Sequence, residues 1–189
     1  AWFIIDQLQQ DFEVRELQLT ADSIDADLDL LVVIHPKDIT DATQYAIDQF
    51  LLGGGQLIAF LDAMAIVDQT PSPQGNNMLG PPPSTSNMEK LLKAWGLEFE
   101  TTKIAADRLF AREISFQRGA PPQIQPGILF MDPNGISSDD VITSQIDQLL
   151  IPFPGVFKGT AVDGLEQSVL LHTSKESQLV DAFMARLSG

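Results

Sequence analysis

Three side chains in this sequence are suited to acid–base or metal chemistry, and each follows an apolar run that is typical of a buried strand. They are His35, Asp62 and His172. Because the carboxyl ends of parallel strands meet at one edge of a sheet, where ligands of doubly wound folds bind, the three groups are predicted to gather along that edge. A histidine beside a carboxylate can act as acid and base, and two histidines with Asp62 can hold a metal ion.

A structural interpretation of the same residues competes with the catalytic one. In it, His35 and Pro36 shape a tight turn, Asp62 caps a loop, and His172 bonds to the backbone from a partly buried position. The chain has two histidines, and no catalytic motif surrounds either of them. We therefore assign no catalytic residue, no metal ligand and no cofactor-binding residue, and we keep His35, Asp62 and His172 as a candidate ligand edge.

Several well-known catalytic and binding motifs are excluded by residue type or by order. The glycines at 53–55 end a predicted helix and precede a strand, whereas a phosphate loop follows a strand and opens a helix. No G-x-S-x-G elbow exposes a serine nucleophile. The absence of cysteine excludes a thiol nucleophile, such as that of an amidotransferase, and thiolate zinc sites. The aspartate-rich run at 22–29 lacks the glycine and the glutamate that an EF-hand loop needs.

The candidate edge is positioned by a predicted strand–helix–strand unit. Runs 30–34 and 57–61 are short and almost wholly apolar, as expected for parallel strands that helices cover on both faces. Thr40 is a good N-cap for the helix between them, whose apolar residues recur at four-residue spacing. The glycines at 53–55 end that helix. The two strands are therefore predicted to be parallel, with a right-handed crossover.

The remaining pattern extends this unit into an α/β domain. Further elements are predicted as a helix at 2–12, an edge strand at 14–19, paired strands at 97–104 and 109–116, a strand at 128–131, a buried strand at 168–172 and a closing helix at 178–187. The predicted fold is a largely parallel sheet with helices on both faces, plus an antiparallel hairpin extension. Residues 1–189 are predicted to form a single domain, with a long exposed proline-rich loop at 69–87.

The charge of the chain narrows the classes of partner. Acidic residues outnumber basic ones by 26 to 11, which gives a net charge of -15. Such a surface repels phosphate backbones, so nucleic-acid binding is excluded, and anionic lipid surfaces are disfavoured for the same reason. No apolar run approaches the roughly 18 residues of a spanning helix. Membrane attachment is therefore expected through segments outside this chain.

Seven stretches spread over nearly the whole chain carry a family resemblance. They are DLLVVIHPK at 29–37, TDATQYAIDQF at 40–50, GGQLIAFLD at 54–62, LLKAWGL at 91–97, ADRLFA at 106–111, DDVIT at 139–143 and LLHTS at 170–174. In this order they resemble the auxiliary component of uncharacterised ABC transporters, the gliding-motility-associated family. The stretches are structural signatures, and none is a catalytic motif.

The resemblance implies a soluble domain of flavodoxin-like or amidotransferase-like shape in a bacterial membrane protein, facing the periplasm or another extracytoplasmic space. It also implies action with ABC permease and ATPase subunits, and it leaves homo-oligomerisation open. From it we predict a non-enzymatic binding or scaffolding domain. The alternative is a ligand-binding or hydrolytic domain for a sugar, lipid or peptide, which requires His35, Asp62 and His172 to converge in a concave pocket.

Overall fold

A computed structural model of the chain describes residues 3–68, 84–115 and 121–187. The four helices of these residues are Phe3–Asp11 (α1), Asp41–Leu52 (α2), Glu89–Ala94 (α3) and Ala182–Leu187 (α4). The ten strands of the same described residues are Leu30–Ile34 (β1), Gln56–Phe60 (β2), Leu97–Phe99 (β3), Lys103–Asp107 (β4), Arg112–Ile114 (β5), Gln123–Gln125 (β6), Ile128–Met131 (β7), Leu149–Pro152 (β8), Phe157–Gly159 (β9) and Ser177–Asp181 (β10).

The predicted parallel strand–helix–strand unit is confirmed. β1 and β2 pair in parallel, with Leu31 opposite Leu57. The Thr40 hydroxyl accepts a hydrogen bond from the Thr43 N–H at 3.1 Å and so caps α2. After α2, Gly54 adopts a φ of 97°, which favours glycine because a side chain is strained there. Local sequence signals therefore place both strands and the helix that joins them.

One face of the β1–β2 pair packs against α2 and α3. The buried residues of this cluster are Leu31, Ile39, Ile47, Phe50, Met88, Leu91 and Leu92. The opposite face presents Leu30, Val32, Ile58 and Phe60, and all four are exposed. The helical layer described here thus covers one side of the parallel pair.

The predicted largely parallel sheet, of flavodoxin-like or amidotransferase-like shape, is wrong. In the described residues β1–β2 is the one parallel pair, while β4–β10, β3–β9, β5–β6 and β7–β8 are all antiparallel. Parallel strands need a crossover of a dozen or more residues, usually a helix. Between α3 and α4 the described chain has eight strands and no helix, so the helical connections that a parallel sheet needs do not occur there.

The predicted hairpin extension also has the wrong partners. Runs 97–104 and 109–116 contain β3, β4 and β5, which pair with β9, β10 and β6 rather than with each other. The strand expected at 14–19 does not form, and the strand expected at 168–172 is reduced to one bridge between Leu171 and Ile136. The expected closing helix at 178–187 is β10 followed by α4. Alternation indicates a strand but does not specify its partner.

A buried carboxylate anchors the antiparallel half of the chain. Asp107 is fully buried, and it accepts hydrogen bonds from the Ser174 N–H at 2.6 Å, the Ser174 hydroxyl at 2.8 Å and the Leu109 N–H at 2.8 Å. Burial by itself would raise the pKa of Asp107, but the hydrogen bonds from Ser174, Leu109 and Phe110 together hold this pKa below its ordinary value. Asp107 thereby fixes the segment at 174 to the end of β4.

Candidate functional site

The structure brings His35 and Asp62 together just beyond the carboxyl ends of β1 and β2. His35 Nδ1 lies 3.4 Å from Asp62 Oδ2. The His35 N–H donates to the Phe60 carbonyl at 2.8 Å and so extends the parallel ladder past β1. His35 has a φ of 46°, which is uncommon for a residue other than glycine. Strained backbone of this kind is often found at functional sites.

His172 does not join the other two residues. Its ring Nδ1 lies 3.1 Å from the Thr173 carbonyl oxygen, and its N–H donates to the Gly135 carbonyl at 2.9 Å. Within the described residues, no hydrogen bond or ion pair links it to His35 or Asp62. The same residues include no group of three or more histidine and carboxylate side chains that could hold a metal ion. A site made by both histidines and Asp62 is therefore not formed.

Residues 84–87, which we call the strap, lie across the ends of β1 and β2. Three backbone hydrogen bonds attach the strap, from Ala65 N–H to the Ser84 carbonyl, from Ser86 N–H to the Asp62 carbonyl and from Asn87 N–H to the Pro36 carbonyl, at 2.7–2.9 Å. The strap is the end of the predicted proline-rich loop at 69–87, and residues 69–83 lie outside the described part of the chain. Within the strap, Ser86 is 1% exposed, residues 84 and 85 are half-buried and Asn87 is exposed.

The imidazole of His35 lies between two serine hydroxyls of the strap. Nδ1 is 2.9 Å from Ser86 Oγ, and Nε2 is 3.0 Å from Ser84 Oγ. The Ser86 oxygen also accepts the Asp62 N–H at 2.8 Å, and the Ser84 hydroxyl donates to Asp68 Oδ2 at 2.6 Å. Both ring nitrogens therefore have partners, and the His35 side chain is 13% exposed.

One tautomer of the His35 ring satisfies all of these contacts. Each serine hydroxyl has one proton. Since Ser84 gives its proton to Asp68, the contact between Ser84 and His35 requires a proton on Nε2. In the neutral ring, Nδ1 is then an acceptor, and Ser86 donates to it. One neutral tautomer satisfies every group in this chain of hydrogen bonds.

A second carboxylate lies on the other side of the imidazole. Asp68 Oδ2 is 3.4 Å from His35 Nε2 and forms an ion pair with Lys37 Nζ. The Asp68 side chain is 16% exposed, whereas the Asp62 side chain is 48% exposed, so Asp68 is the better shielded of the two carboxylates. Lys37 thus balances the more buried of the two carboxylates beside His35.

The cluster around His35 contains the residue types of a serine hydrolase. Neither serine, however, is both accessible to a substrate and placed to give its hydroxyl proton to the histidine. A serine nucleophile must be exposed to substrate and must give its proton to the histidine. Ser86 donates to His35 but is buried, and Ser84 is half-buried but gives its proton to Asp68. A cavity of about 480 Å³ is lined by strap residues 85–87 with parts of α3 and β3, and its lining excludes His35 and Asp62.

The sequence identified two members of this cluster and missed four. Lys37 lies three residues after the end of β1, so its distance from a strand end was a usable signal, whereas Asp68 lies eight residues after the end of β2. Ser84 and Ser86 had no local signal, because they are 49 and 51 residues from His35 along the chain. Their position depends on the path of the strap.

Comparison with known families identifies the chain. A family model described as "ABC-type uncharacterized transport system" matches residues 1–188. The chain belongs to this family. No curated protein and no solved structure matches it.

Family membership gives this chain a transporter-associated, membrane-associated role and an association with components of the transport system. The match confirms the transport-system part of the sequence resemblance and carries no link to gliding motility. Among the helices that the structure describes, none has the length and hydropathy needed to cross a bilayer.

Proposed function

We propose that this domain is a non-enzymatic binding and scaffolding domain of the ABC transport system. It acts on the extracytoplasmic side of a bacterial membrane, is attached through segments outside this chain, and contacts the permease subunit, through which the ATPase is associated. The observation that carries the non-enzymatic assignment is the closed hydrogen-bond chain around His35.

The closed chain supports a structural use of this edge. Nδ1 and Nε2 of His35 are both occupied by strap hydroxyls, so in this arrangement neither nitrogen is free to take a proton from a substrate. The same bonds attach the strap to the ends of β1 and β2, and the positive φ of His35 is held by them. His35 accordingly ties the strap to this edge and gives a partner protein a defined surface to contact.

Site-specific photo-crosslinking of the full-length protein in cells tests the partner assignment. A photoreactive amino acid at Val141, which is 85% exposed, or at Tyr45 is expected to crosslink the permease. The same amino acid at the buried Ile47 is the control and is expected to give no intermolecular product. If both exposed positions capture only proteins outside the transport system, the scaffolding proposal is wrong.

Labelling with a membrane-impermeant maleimide tests the location separately. The described chain offers no native thiol, so Val141→Cys adds one target to the full-length protein, and the parent protein is the control. Labelling is expected in cells whose outer membrane is permeabilised while the cytoplasmic membrane stays intact. Labelling that appears only after the cytoplasmic membrane is permeabilised would place the domain on the cytoplasmic side.

A hydrolytic domain is the second candidate function, and the contacts among His35, Ser84 and the two carboxylates are the observation that favours it. Removing a general acid–base residue lowers turnover about 10²–10⁴-fold. Short-chain nitrophenyl esters, incubated with the wild-type protein, His35→Ala and Ser84→Ala, separate the two candidates. Our proposal expects all three to match the buffer rate, whereas wild-type turnover that both substitutions abolish would establish the hydrolase.

A further inference from the structure

Asn134 and Gly135 form an asparagine–glycine pair, a sequence that is prone to spontaneous deamidation. In this reaction the backbone nitrogen of the following residue attacks the asparagine side chain at Cγ. Glycine allows the attack most readily, because it has no Cβ to block the approach and adopts the widest range of backbone conformations. Asn87, by contrast, is followed by Met88. Asn134 is therefore intrinsically reactive, and the surrounding fold decides whether the reaction proceeds.

A β-turn keeps the reacting groups of this pair apart. Residues 132–135 follow β7, and the Gly135 N–H donates to the Asp132 carbonyl at 2.9 Å. Aspartate first, proline second and glycine fourth are residues that a type I turn favours. Asn134 Nδ2 donates to Asp132 Oδ1 at 3.0 Å, and the same oxygen accepts the Asn134 N–H at 2.9 Å. The proton that Gly135 must lose is thus held in a hydrogen bond, and the Asn134 side-chain amide is held toward Asp132.

Close packing around Gly135 opposes any rearrangement of the turn in the folded protein. Gly135 is buried. A Cβ built on it would lie 2.7 Å from the Phe110 ring, 2.8 Å from the Met131 methyl group and 2.9 Å from the His172 carbonyl oxygen. The Gly135 carbonyl also accepts the His172 N–H at 2.9 Å. The attack requires the peptide group between Asn134 and Gly135 to rotate, and these contacts hold it in place.

We infer that Asn134 is a deamidation site that the folded turn protects and that opening of the turn exposes. In the open state the Gly135 amide loses its proton to a base in the solvent, and its nitrogen bonds to Asn134 Cγ. The Cγ–Nδ2 bond breaks, and Nδ2 takes a proton from water and leaves as ammonia. Water then opens the resulting succinimide. Cleavage of its bond to Cγ leaves aspartate at position 134, and cleavage of its bond to the main-chain carbonyl carbon leaves isoaspartate.

Neither product fits the turn that Asn134 occupies. Isoaspartate carries the backbone through Cγ and lengthens it by one methylene group, directly before the closely packed Gly135. Aspartate replaces the Nδ2 donor by a carboxylate oxygen facing Asp132 Oδ1, and two carboxylates in contact repel each other. A chain that reacts while it is open is therefore hindered from rebuilding the turn, and the opening is recorded in its covalent structure.

Peptide mass spectrometry that locates deamidation to single residues tests the inference, with the protein kept at about pH 8 and 37 °C, folded or in urea. In urea, Asn134 is expected to convert faster than Asn87, which is the matched asparagine without a following glycine. In the folded protein, Asn134 is expected to convert at least about tenfold more slowly than in urea, because the reaction requires local opening. An Asn134 that converts no faster than Asn87 in urea, or equally fast in the folded and unfolded protein, would overturn the inference.

Asp132→Ala tests whether the turn itself provides the protection. The substitution removes the acceptor of both Asn134 hydrogen bonds and is expected to raise the conversion of Asn134 in the folded protein at least about fivefold. Asp139→Ala, at an exposed aspartate beyond the turn, is the control and is expected to leave the rate unchanged. If both variants are folded and convert equally, the inference is wrong.

A urea series on the wild-type protein keeps the test decisive if Asp132→Ala does not fold. The conversion rate of Asn134 is expected to rise with the unfolded fraction. A rate that stays constant through the unfolding transition would show that the fold gives no protection. This chemistry is independent of the transporter partners, which are tested by separate crosslinks.

Discussion

Replacing His35 with alanine tests whether this histidine holds the strap onto the sheet. The substitution removes the contact with Ser86 Oγ at 2.9 Å and the contact with Ser84 Oγ at 3.0 Å. Ser86 is 1% exposed, so its hydroxyl loses its acceptor at a buried position. Ser84 is half-buried and keeps Asp68 as its acceptor. The loss at Ser86 is therefore the larger of the two.

The expected cost of His35→Ala follows from these two contacts. Leaving a buried donor without an acceptor costs about 1–3 kcal/mol, and losing an ordinary hydrogen bond costs about 0.5–1.5 kcal/mol. Together the free energy of unfolding is expected to fall by about 1.5–4.5 kcal/mol. With a urea m-value of about 2 kcal/mol/M, the unfolding midpoint falls by about 1–2 M. Ser86→Ala is expected to cost less in the His35→Ala background than alone, because the stranded hydroxyl is then gone and only the Asp62 N–H loses its acceptor.

Urea unfolding followed by tryptophan fluorescence is a suitable assay, because Trp95, one of the two tryptophans of the chain, packs against the core cluster of β1, α2 and α3. His172→Ala is the matched control. His172 is exposed and its ring contacts one backbone carbonyl, so the expected change is within about 0.5 kcal/mol. Equal stability of His35→Ala and His172→Ala, or simple addition of the effects of His35→Ala and Ser86→Ala, would show that His35 does not hold the strap through Ser86.

Three further predictions concern single groups elsewhere in the fold. The pKa of Asp107 is lowered in the folded state. The stability that the ionised carboxylate contributes is therefore complete above the unfolded pKa of about 3.9 and is lost as the pH falls through the folded value. Stability curves measured from pH 2 to 6 are expected to lack this acid dependence in Asp107→Asn. Hydrogen bonds from the Thr102 hydroxyl, the Lys158 ammonium and the Thr102 N–H lower the pKa of Glu100 to about 2, so carboxyl NMR titration of Thr102→Val is expected to show a higher Glu100 pKa, and an unchanged value would contradict this cause. Gly96 and Gly164 both have positive φ, but a Cβ at Gly96 would lie 2.3 Å from the Thr160 carbonyl oxygen, whereas a Cβ at Gly164 meets nothing within 4 Å. Thermal unfolding is therefore expected to show Gly96→Ala about 1–3 kcal/mol less stable than Gly164→Ala. Equal losses of stability would show that the clash at Gly96 is relieved.

The sequence predicted the strand–helix–strand unit because every signal for it is local. The Thr40 cap acts three residues away, at Thr43, and Gly54 adopts its positive φ directly after the helix. The continuous apolar runs then indicate parallel strands joined by that helix. The same reasoning placed His35 and Asp62 at adjacent strand ends, where they lie 3.4 Å apart.

The antiparallel half could not be predicted in the same way. β4 pairs with β10, more than 70 residues away, with Ile104 opposite Val180. β3 pairs with β9, with Phe99 opposite Phe157. Alternation in each run shows that a strand can form and which side chains share a face, but any other alternating run satisfies the same pattern. A prediction that pairs neighbouring runs therefore chose the wrong partners.

For this protein, the sequence by itself determined the elements whose hydrogen bonds and periodicity lie within about a dozen residues, together with the strong negative charge and the family. The tertiary structure alone decided the antiparallel pairing, the separation of His172 from His35, and the closure of the His35 site by Ser84 and Ser86. The physical reason is that these contacts join residues far apart in the chain, and their free energy depends on burial and geometry that no local pattern contains.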